Sequence, residues 1–416
     1  MGEQRANRLA ALGLLWAFGV TLGRGLRRPN DWAEAHWLIS YNFGFIKRGL
    51  AGSLLAPFLS PTPAVAETTI AVVVSLLTAL LCAALVALCW SILRRCGFSA
   101  DAVLAVAVFA TSPFVVMTGH LNGYLDGPII LLSVLAIGLV WRGRLWAAAL
   151  VLIVGLLVHE TILLIGFPTA LWAAWLRAGR DEATTAARLR RVAPLAAPLL
   201  AFALLFLYQS YVIDAARLES TLIAYLEKQP FIQYDQEVIV PRSFAKSFLA
   251  QFQSQSPRVW GRLFDRGLIV AVAPSLLVWL VFIGNALRAG GVSRRLTVAG
   301  GLLPFLPLAL HLIAWDTGRI WTYPLVVALL VGWVACRAAE PARLRAARSA
   351  VLPVLALVAL PINVFGRIPL MDWRVERFSA AARVALYAPA AVALALARRR
   401  RGDYTSGDRQ FTAERP

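Results

Sequence analysis

Charged residues are scarce in this sequence. Asp, Glu, Lys and Arg make up 15% of the 416 residues, whereas soluble domains carry about 25%. The scarcity argues against a soluble multidomain enzyme. Disorder is excluded as well, because disordered chains are polar and poor in aromatic residues, and this chain has 14 Trp and 20 Phe.

Cysteine is also rare, with four residues in the whole chain. Cys82 and Cys89 fall inside an apolar run, and Cys96 and Cys336 fall at the end of one. This arrangement offers neither a disulfide framework nor the paired Cys spacing of a metal site.

Long apolar runs take the place of charge: 59% of the residues are hydrophobic and the mean hydropathy is +0.69. A membrane-spanning helix needs about 20 mostly apolar residues. The sequence therefore predicts an all-α polytopic membrane protein with about twelve transmembrane helices in a single transmembrane domain, residues 1–397. The predicted spans are 9–26, 68–93, 102–118, 127–141, 145–158, 161–176, 192–212, 267–287, 297–314, 320–336, 350–366 and 380–397.

The first span resembles the apolar stretch of a signal peptide after Arg5 and Arg8. However, Gly23-Arg24-Gly25 is not a small-x-small cleavage site, so we expect the segment to stay as an anchor helix.

The net charge of +19 would indicate a nucleic-acid partner in a soluble protein, but here it orients the chain. With both termini in the cytoplasm, nearly all of the positive excess falls in cytoplasmic loops, as the positive-inside rule requires. We therefore predict a multi-pass protein of the cell (inner) membrane with no nucleic-acid partner. Residues 398–416 form a basic cytoplasmic tail that we expect to be disordered.

In this orientation the outer face holds all four histidines and all three lysines. It includes two long loops, 27–67 and 213–266. The second contains amphipathic pieces and is predicted to be either a substrate-holding cap or a simple lid. The last outer loop, with Arg367, Asp372, Arg374, Glu376 and Arg377, is typical of an interfacial charged helix.

The first outer loop is predicted to contain interfacial helices. A helix over 31–41, capped by Asn30 or Asp31, would place Asp31 and Glu34 on one face, and it would also carry His36 and Tyr41. The apolar stretch 49–59 is too short to span and should lie in the interface or re-enter.

Lys47 and Arg48 precede Gly49 and Gly52 in the same loop. Two cations followed by glycines suit a phosphate or pyrophosphate group, since the cations supply charge and the glycines let backbone amides approach. The alternative is that both cations only contact lipid headgroups.

The next outer turn joins two apolar spans with His120, Asn122, Tyr124 and Asp126. A carboxylate at the start of a membrane helix is costly to bury, so Asp126 is a candidate functional group. It can also be an N-cap before Pro128.

Two further polar turns follow. The first, His159-Glu160, could present both side chains to a cleft or lie in a buried hairpin with Glu160 paired to an arginine; it lacks the spacing of a zinc site. The second turn contains His311, and then Asp316 and Arg319 three residues apart, which predicts either a local ion pair or a phosphate clamp.

This layout resembles the GT-C class of integral-membrane glycosyltransferases, over about residues 1–340. Asp31, with Glu34 beside it, occupies the place of that class's catalytic carboxylate, and Asp126 matches a second acidic residue. No Asp-x-Asp pair occurs in the first loop, which leaves dependence on a divalent cation open.

The resemblance implies an inverting transfer from a polyprenyl-phosphate sugar donor to a lipid, glycan or protein acceptor. Asp31 would deprotonate the acceptor hydroxyl, and Lys47, Arg48 or Arg319 would neutralise the departing phosphate. These roles fit the charge that develops during such a transfer.

Three other functions compete with this one. A polysaccharide polymerase or ligase could use the outer His and Arg residues without a carboxylate base. A lipid or solute transporter would place ionisable groups near the bilayer midplane, whereas these spans are almost free of charge. A non-catalytic assembly partner would leave the outer cluster of polar residues unexplained.

Overall fold

The computed structural model describes residues 2–59, 62–182, 184–232, 234–368, 376 and 378–412. All regular secondary structure in these ranges is helical, which confirms the all-α class. The first twelve helices are α1 (Gly2–Gly25), α2 (Asp31–Leu38), α3 (Gly49–Leu55), α4 (Pro63–Arg95), α5 (Ala100–Ala110), α6 (Pro113–His120), α7 (Asp126–Trp141), α8 (Leu145–Val158), α9 (Ile162–Ile165), α10 (Phe167–Asp181), α11 (Thr185–Val192) and α12 (Ala197–Tyr211).

The second half of the chain continues in the same way. Its helices are α13 (Ala215–Leu226), α14 (Tyr234–Ala245), α15 (Phe248–Gln255), α16 (Val259–Leu263), α17 (Arg266–Ala289), α18 (Arg294–Leu302), α19 (Thr317–Ala338), α20 (Pro341–Ala346), α21 (Val351–Phe365) and α22 (Ala380–Thr412). Short 3₁₀ turns connect several of them, and the longest is Leu303–Leu312.

Nine helical stretches in the described ranges are long and apolar enough to cross a membrane. They are Gln4–Gly25, Pro63–Arg95, Ala100–His120, Ile162–Asp181, Thr185–Tyr211, Arg266–Ala289, Arg294–Leu312, Thr317–Ala338 and Ala380–Arg398. The other three predicted spans correspond to the shorter helices α7, α8 and α21. The chain is an all-α polytopic membrane protein, and twelve crossings stay a prediction.

The bundle is built around α19. Within its most apolar 18 residues 94% of the positions are buried, against 22% for α4 and for α22. Helices that are apolar all round and still exposed belong in a lipid environment. We therefore place α19 at the core of the bundle and α4 and α22 at its rim.

The first loop forms helices α2 and α3, as its sequence predicts. The Asn30 side chain caps α2 by accepting a hydrogen bond from the Ala33 N–H at 3.1 Å. The helix ends at Leu38 because Ile39 is extended, so the expected helix over 31–41 is three residues too long. Tyr41 begins a separate 3₁₀ turn. We call the end of the bundle where α2 and α3 lie the α2 end.

The segment 213–266, which we call the cap, folds into α13 to α16. The α14 helix packs against α2, and the ring centroids of Phe244 and His36 are 5.3 Å apart. The cap therefore covers the first loop.

A buried ion cluster joins the two ends of the chain. Glu376 accepts from Arg24 at 2.9 Å and from Arg383 at 2.8 Å, and all three side chains are at most 3% exposed. Glu376 is thus a buried partner for two arginines, which corrects its expected place in an interfacial charged helix. Of the other residues of that predicted helix, Arg367 is exposed, and Asp372, Arg374 and Arg377 lie outside the described residues.

The predicted disordered tail, residues 398–416, is helical as far as Thr412, as the continuation of α22. Residues 413–416 lie outside the described part of the chain.

Replacing Glu376 by Gln should destabilise the protein by about 3–5 kcal/mol, because it leaves two buried guanidinium groups without their shared counter-ion. The measurement is the free energy of unfolding of the purified protein. Arg367→Gln, at an exposed position of the same loop, is the control. An equal effect of both substitutions would contradict a special role for the buried cluster.

Candidate functional site

Helix α2 is held against the bundle by its two tryptophans. The Trp37 indole donates to the Gly123 carbonyl at 2.7 Å. Trp32 packs edge-on against Trp315, with 6.0 Å between ring centroids. The first loop therefore lies across the α6–α7 turn and the start of α19.

The two glycines after Arg48 serve packing. A Cβ at Gly52 would lie 2.0 Å from the Ile39 carbonyl oxygen, and one at Gly49 would lie 2.6 Å from the Tyr41 ring. Only glycine permits these approaches. The role expected for these glycines, to let backbone amides approach a phosphate, stays a prediction, because these distances describe the space at Cβ and not access to the N–H groups.

Arg48 links the first loop to the turn between α8 and α9. Its Nε donates to Glu160 Oε2 at 2.9 Å, and a terminal nitrogen donates to Oε1. Arg48 sits in the left-handed region, with φ of 62°. Burial would raise the pKa of Glu160, but the guanidinium holds it well below its usual range. Glu160 is thus an ionised partner of an arginine.

Arg319 bridges two carboxylates. Its terminal nitrogens donate to Asp316 Oδ2 at 2.5 Å and to Asp126 Oδ2 at 3.3 Å. The Tyr323 hydroxyl donates to the other oxygen of Asp126, and the Tyr124 ring lies 5.8 Å from the guanidinium. Asp126 begins α7 without capping it. We call Arg48, Asp126, Glu160, Asp316 and Arg319 the charge cluster.

Two imidazoles border the charge cluster. His36 donates from Nδ1 to the Trp32 carbonyl at 2.6 Å, whereas His159 Nδ1 accepts from the Thr161 N–H at 3.2 Å. Burial, aided by the charge of Arg48, lowers the pKa of His36 to about 3 and that of His159 well below its usual value.

Both rings are therefore neutral, and the 3.4 Å approach of His159 Nδ1 to Glu160 is not an ion pair. The hydrogen bonds leave an acceptor at His36 Nε2 and a donor at His159 Nε2. Neither atom bonds to another residue of the described ranges.

Lys47 lies under the cap. Its ammonium donates to the Lys246 carbonyl and sits 5.1 Å from the Phe248 ring centre. Burial, together with the charge of Arg48, lowers the pKa of Lys47 to about 7. Within the described residues Lys47 makes no ion pair, although the negative charge of Glu160 acts on it. Its remaining donors are unused by those residues, and an anion bound beside it would favour its charged form.

Several predicted site residues support the framework instead. Asn122 accepts from the Thr78 hydroxyl at 2.8 Å and donates to the Arg27 carbonyl at 3.0 Å. The His120 carbonyl accepts from the Arg27 side chain at 2.6 Å. Together these bonds fix the turn that presents Tyr124 and Asp126.

Tyr41 and His311 have buried polar side-chain atoms without a hydrogen-bond partner among the described residues. Neither the Tyr41 hydroxyl nor either ring nitrogen of His311 has a hydrogen-bond partner in the described part of the chain. Burial raises the pKa of Tyr41 to about 12, so its hydroxyl keeps its proton. The His311 carbonyl accepts from Arg262 at 3.4 Å, which places this histidine beside the cap.

Asp31 and Glu34 occupy the first turn of α2. Asp31 is half-buried and Glu34 is 6% exposed. Burial raises the pKa of Glu34 to about 7, and the negative charges of Glu67 and Asp31 add to the effect.

The sequence did not identify Tyr323 or Lys246 as site residues. Tyr323 follows Arg319 by four residues on α19, and this helical spacing could have indicated a shared face. Lys246 contacts the site only through its backbone carbonyl, which accepts from Lys47. Such a backbone contact cannot be recognised in the sequence.

An apolar groove runs beside the charge cluster. It has a volume of about 410 Å³, and its walls include Trp37, Leu54, Phe58, Leu77 and Val158. A smaller cavity of about 20 Å³ shares Trp37 and Leu77 with the groove and reaches Asp126 and Tyr323. The groove and the charged groups thus lie side by side. No three His, Cys, Asp or Glu side chains of the described chain are grouped as metal ligands.

The folded protein should bind the Glu34 proton more tightly than the unfolded chain does. Stability should therefore fall as the pH rises from about 4.5 to about 7. Glu34→Gln should raise the unfolding temperature relative to wild type at pH 8 and have little effect at pH 5. Thermal unfolding at both pH values measures this, with the exposed Glu227→Gln as control. A gain that is independent of pH would refute the assignment.

No protein-family model, no curated protein and no solved structure matches this chain. What the site can do is therefore inferred from its own residues. They offer a buried lysine without an ion-pair partner in the described residues, two arginines that are ion-paired to carboxylates and two neutral imidazoles. An apolar groove lies beside them. Such a combination can bind an anion that is attached to a hydrocarbon chain.

Proposed function

We propose that the protein is a membrane glycosyltransferase that moves a sugar from a polyprenyl-phosphate donor to a lipid, glycan or protein acceptor. The reaction would take place at the outer face of the cytoplasmic membrane, with both termini of the chain in the cytoplasm. One observation carries the proposal: Lys47, Arg48 and Arg319 gather next to an apolar groove at the α2 end.

The cations suit the phosphate of the donor. The departing phosphate gains negative charge in the transition state, so fixed cations at that point lower the barrier. Lys47 is the cation best able to contribute, because it has no carboxylate to exchange for the phosphate. The Arg319 guanidinium would divide its N–H donors between its two carboxylate partners and the incoming phosphate. His159 Nε2 would add a neutral donor.

The groove suits the hydrocarbon chain of the donor. Leu54 is 63% exposed and Phe58 is 72% exposed, a degree of exposure that water disfavours and lipid tolerates. A prenyl chain lying in the groove would bury this surface at about 25 cal/mol per Å². It would also hold the phosphate beside the charge cluster.

The base is assigned to Asp31 by its position in the resemblance to GT-C enzymes. Asp126 is less suited to the task because Arg319 and Tyr323 already engage both of its oxygens. Trp32, the neighbour of Asp31, contacts Trp315, and this contact brings the first turn of α2 towards Asp316 and Arg319.

A second candidate function is an outer-leaflet polysaccharide polymerase or ligase. The neutral His36 and His159 beside two arginines favour it, since such an enzyme would not need a carboxylate base. The product distinguishes the two functions, because a transferase adds one sugar unit and a polymerase or ligase moves an assembled glycan.

Lys47→Gln should weaken binding of undecaprenyl phosphate at least tenfold, because it removes a buried cation that has no acidic partner to leave uncompensated. Native mass spectrometry of the protein in nanodiscs measures the bound fraction. Lys228→Gln, an exposed lysine of the cap, is the matched control. Equal binding by both variants and wild type would overturn the proposed phosphate site.

Asp31→Asn should abolish sugar transfer and leave both the fold and donor binding unchanged, since it removes the base and keeps the shape. The sugar to supply is the one identified by mass spectrometry of lipid that co-purifies with the protein. Full transfer activity in this variant would refute the assignment of Asp31.

A further inference from the structure

A second cavity lies where the first loop meets the cap. Its volume is about 410 Å³, within the range of small-molecule sites. Ser40, Asn42 and Phe43 of the first loop form one side, and Tyr225 and Gln229 of the cap form the other. None of its described lining residues is charged, which separates it in character from the charge cluster.

The polar groups of this cavity have unused hydrogen-bonding capacity. The side-chain amides of Asn42 and Gln229 bond to no other residue in the described ranges. Ser40 Oγ accepts from the Asn42 N–H at 3.3 Å, and its own hydrogen is still available. Each side-chain amide offers two N–H donors and a carbonyl acceptor. The cavity can therefore hydrogen-bond to a ligand that has both donor and acceptor groups.

Aromatic rings supply the other half of the cavity. The centroids of Phe43 and Tyr225 are 4.9 Å apart and the rings are tilted by 59°. Aromatic rings bury apolar area, and tyrosine keeps a polar tip. A ligand with C–H faces and hydroxyl groups at its edges could pack its faces against the aromatic rings and hydrogen-bond its hydroxyls to the amides.

We propose that this cavity binds a carbohydrate unit of the acceptor, an inference that rests on the proposed transferase function. Sugars combine neutral hydroxyl groups with C–H faces, as the lining requires. A phosphate would find no cation here, and an acyl chain would leave the Asn42 and Gln229 amides without partners.

The position of the cavity also fits an acceptor. Leu38 lines it and lies one turn after Glu34 on the same face of α2. Ala66 lines it as well, next to Glu67, whose charge acts on Glu34. A sugar bound here would lie about one helical turn from Glu34 and about two turns from Asp31.

Saturation-transfer NMR on the protein in nanodiscs tests the cavity directly. The probes are the methyl glycosides of glucose, galactose, mannose and arabinose, each at millimolar concentration. At least one should receive saturation from the wild type, and Asn42→Leu and Gln229→Leu should reduce the signal at least tenfold. Gln253→Leu, an exposed glutamine of the cap outside the cavity, should match wild type.

Absence of signal for all four probes, or equal signals for all variants, would overturn the proposal. The unfolding temperature of each variant shows whether it is folded. If a variant fails to fold, Asn42→Asp and Gln229→Glu replace it, because they keep the size of the side chain.

Transfer assays separate this inference from the proposed function. Loss of glycoside binding with unchanged transfer in the two leucine variants would refute the acceptor site and leave the transferase standing. Specific glycoside binding without any turnover of a polyprenyl-phosphate sugar would refute the transferase and the acceptor role together. A rise in KM for the acceptor with unchanged donor binding would support both.

Discussion

Pairing of buried charge is the constraint on which the α2 end depends. A charge removed from water must be matched by a partner, and here the partners lie far apart in sequence. Arg48 and Glu160 are separated by 112 residues and Arg319 and Asp126 by 193. Each pair fixes a turn between apolar helices, so the first loop, the α8–α9 turn and the start of α19 are held in one arrangement.

The same pairing determines what remains for chemistry. Carboxylates that bind arginines are poor bases, and arginines that bind carboxylates offer an anion only part of their charge. The reactive capacity of this region therefore rests on the groups outside these pairs: Lys47, the two neutral imidazoles and Glu34 on the first turn of α2. A site of this kind can admit a charged headgroup without a large net charge of its own.

Much of the fold could be predicted because the bilayer limits it to helices of a certain length. The apolar runs located the helices, and Asn30 was one of the two residues expected to cap α2. The spacing of Asp316 and Arg319 gave their local ion pair as one of two alternatives, beside a phosphate clamp, and the pair is present. An arginine partner for Glu160 was one of the predicted alternatives, but its identity as Arg48 and the contact of Tyr323 with Asp126 could not be predicted, because they depend on how helices pack. The raised pKa of Glu34 depends likewise on packing, through its burial and through the charge of Glu67 on another helix.

The Arg24–Glu376 pair spans 352 residues, and this separation has a consequence for biogenesis. Arg24 is made together with α1, and its counter-ion follows only 352 residues later in translation. Until Glu376 has been made, the Arg24 guanidinium needs other hydrogen-bond acceptors, such as water, lipid headgroups or groups of the insertion machinery. The α1 helix, which packs against α22, therefore reaches its final environment only after the chain has been made through that helix.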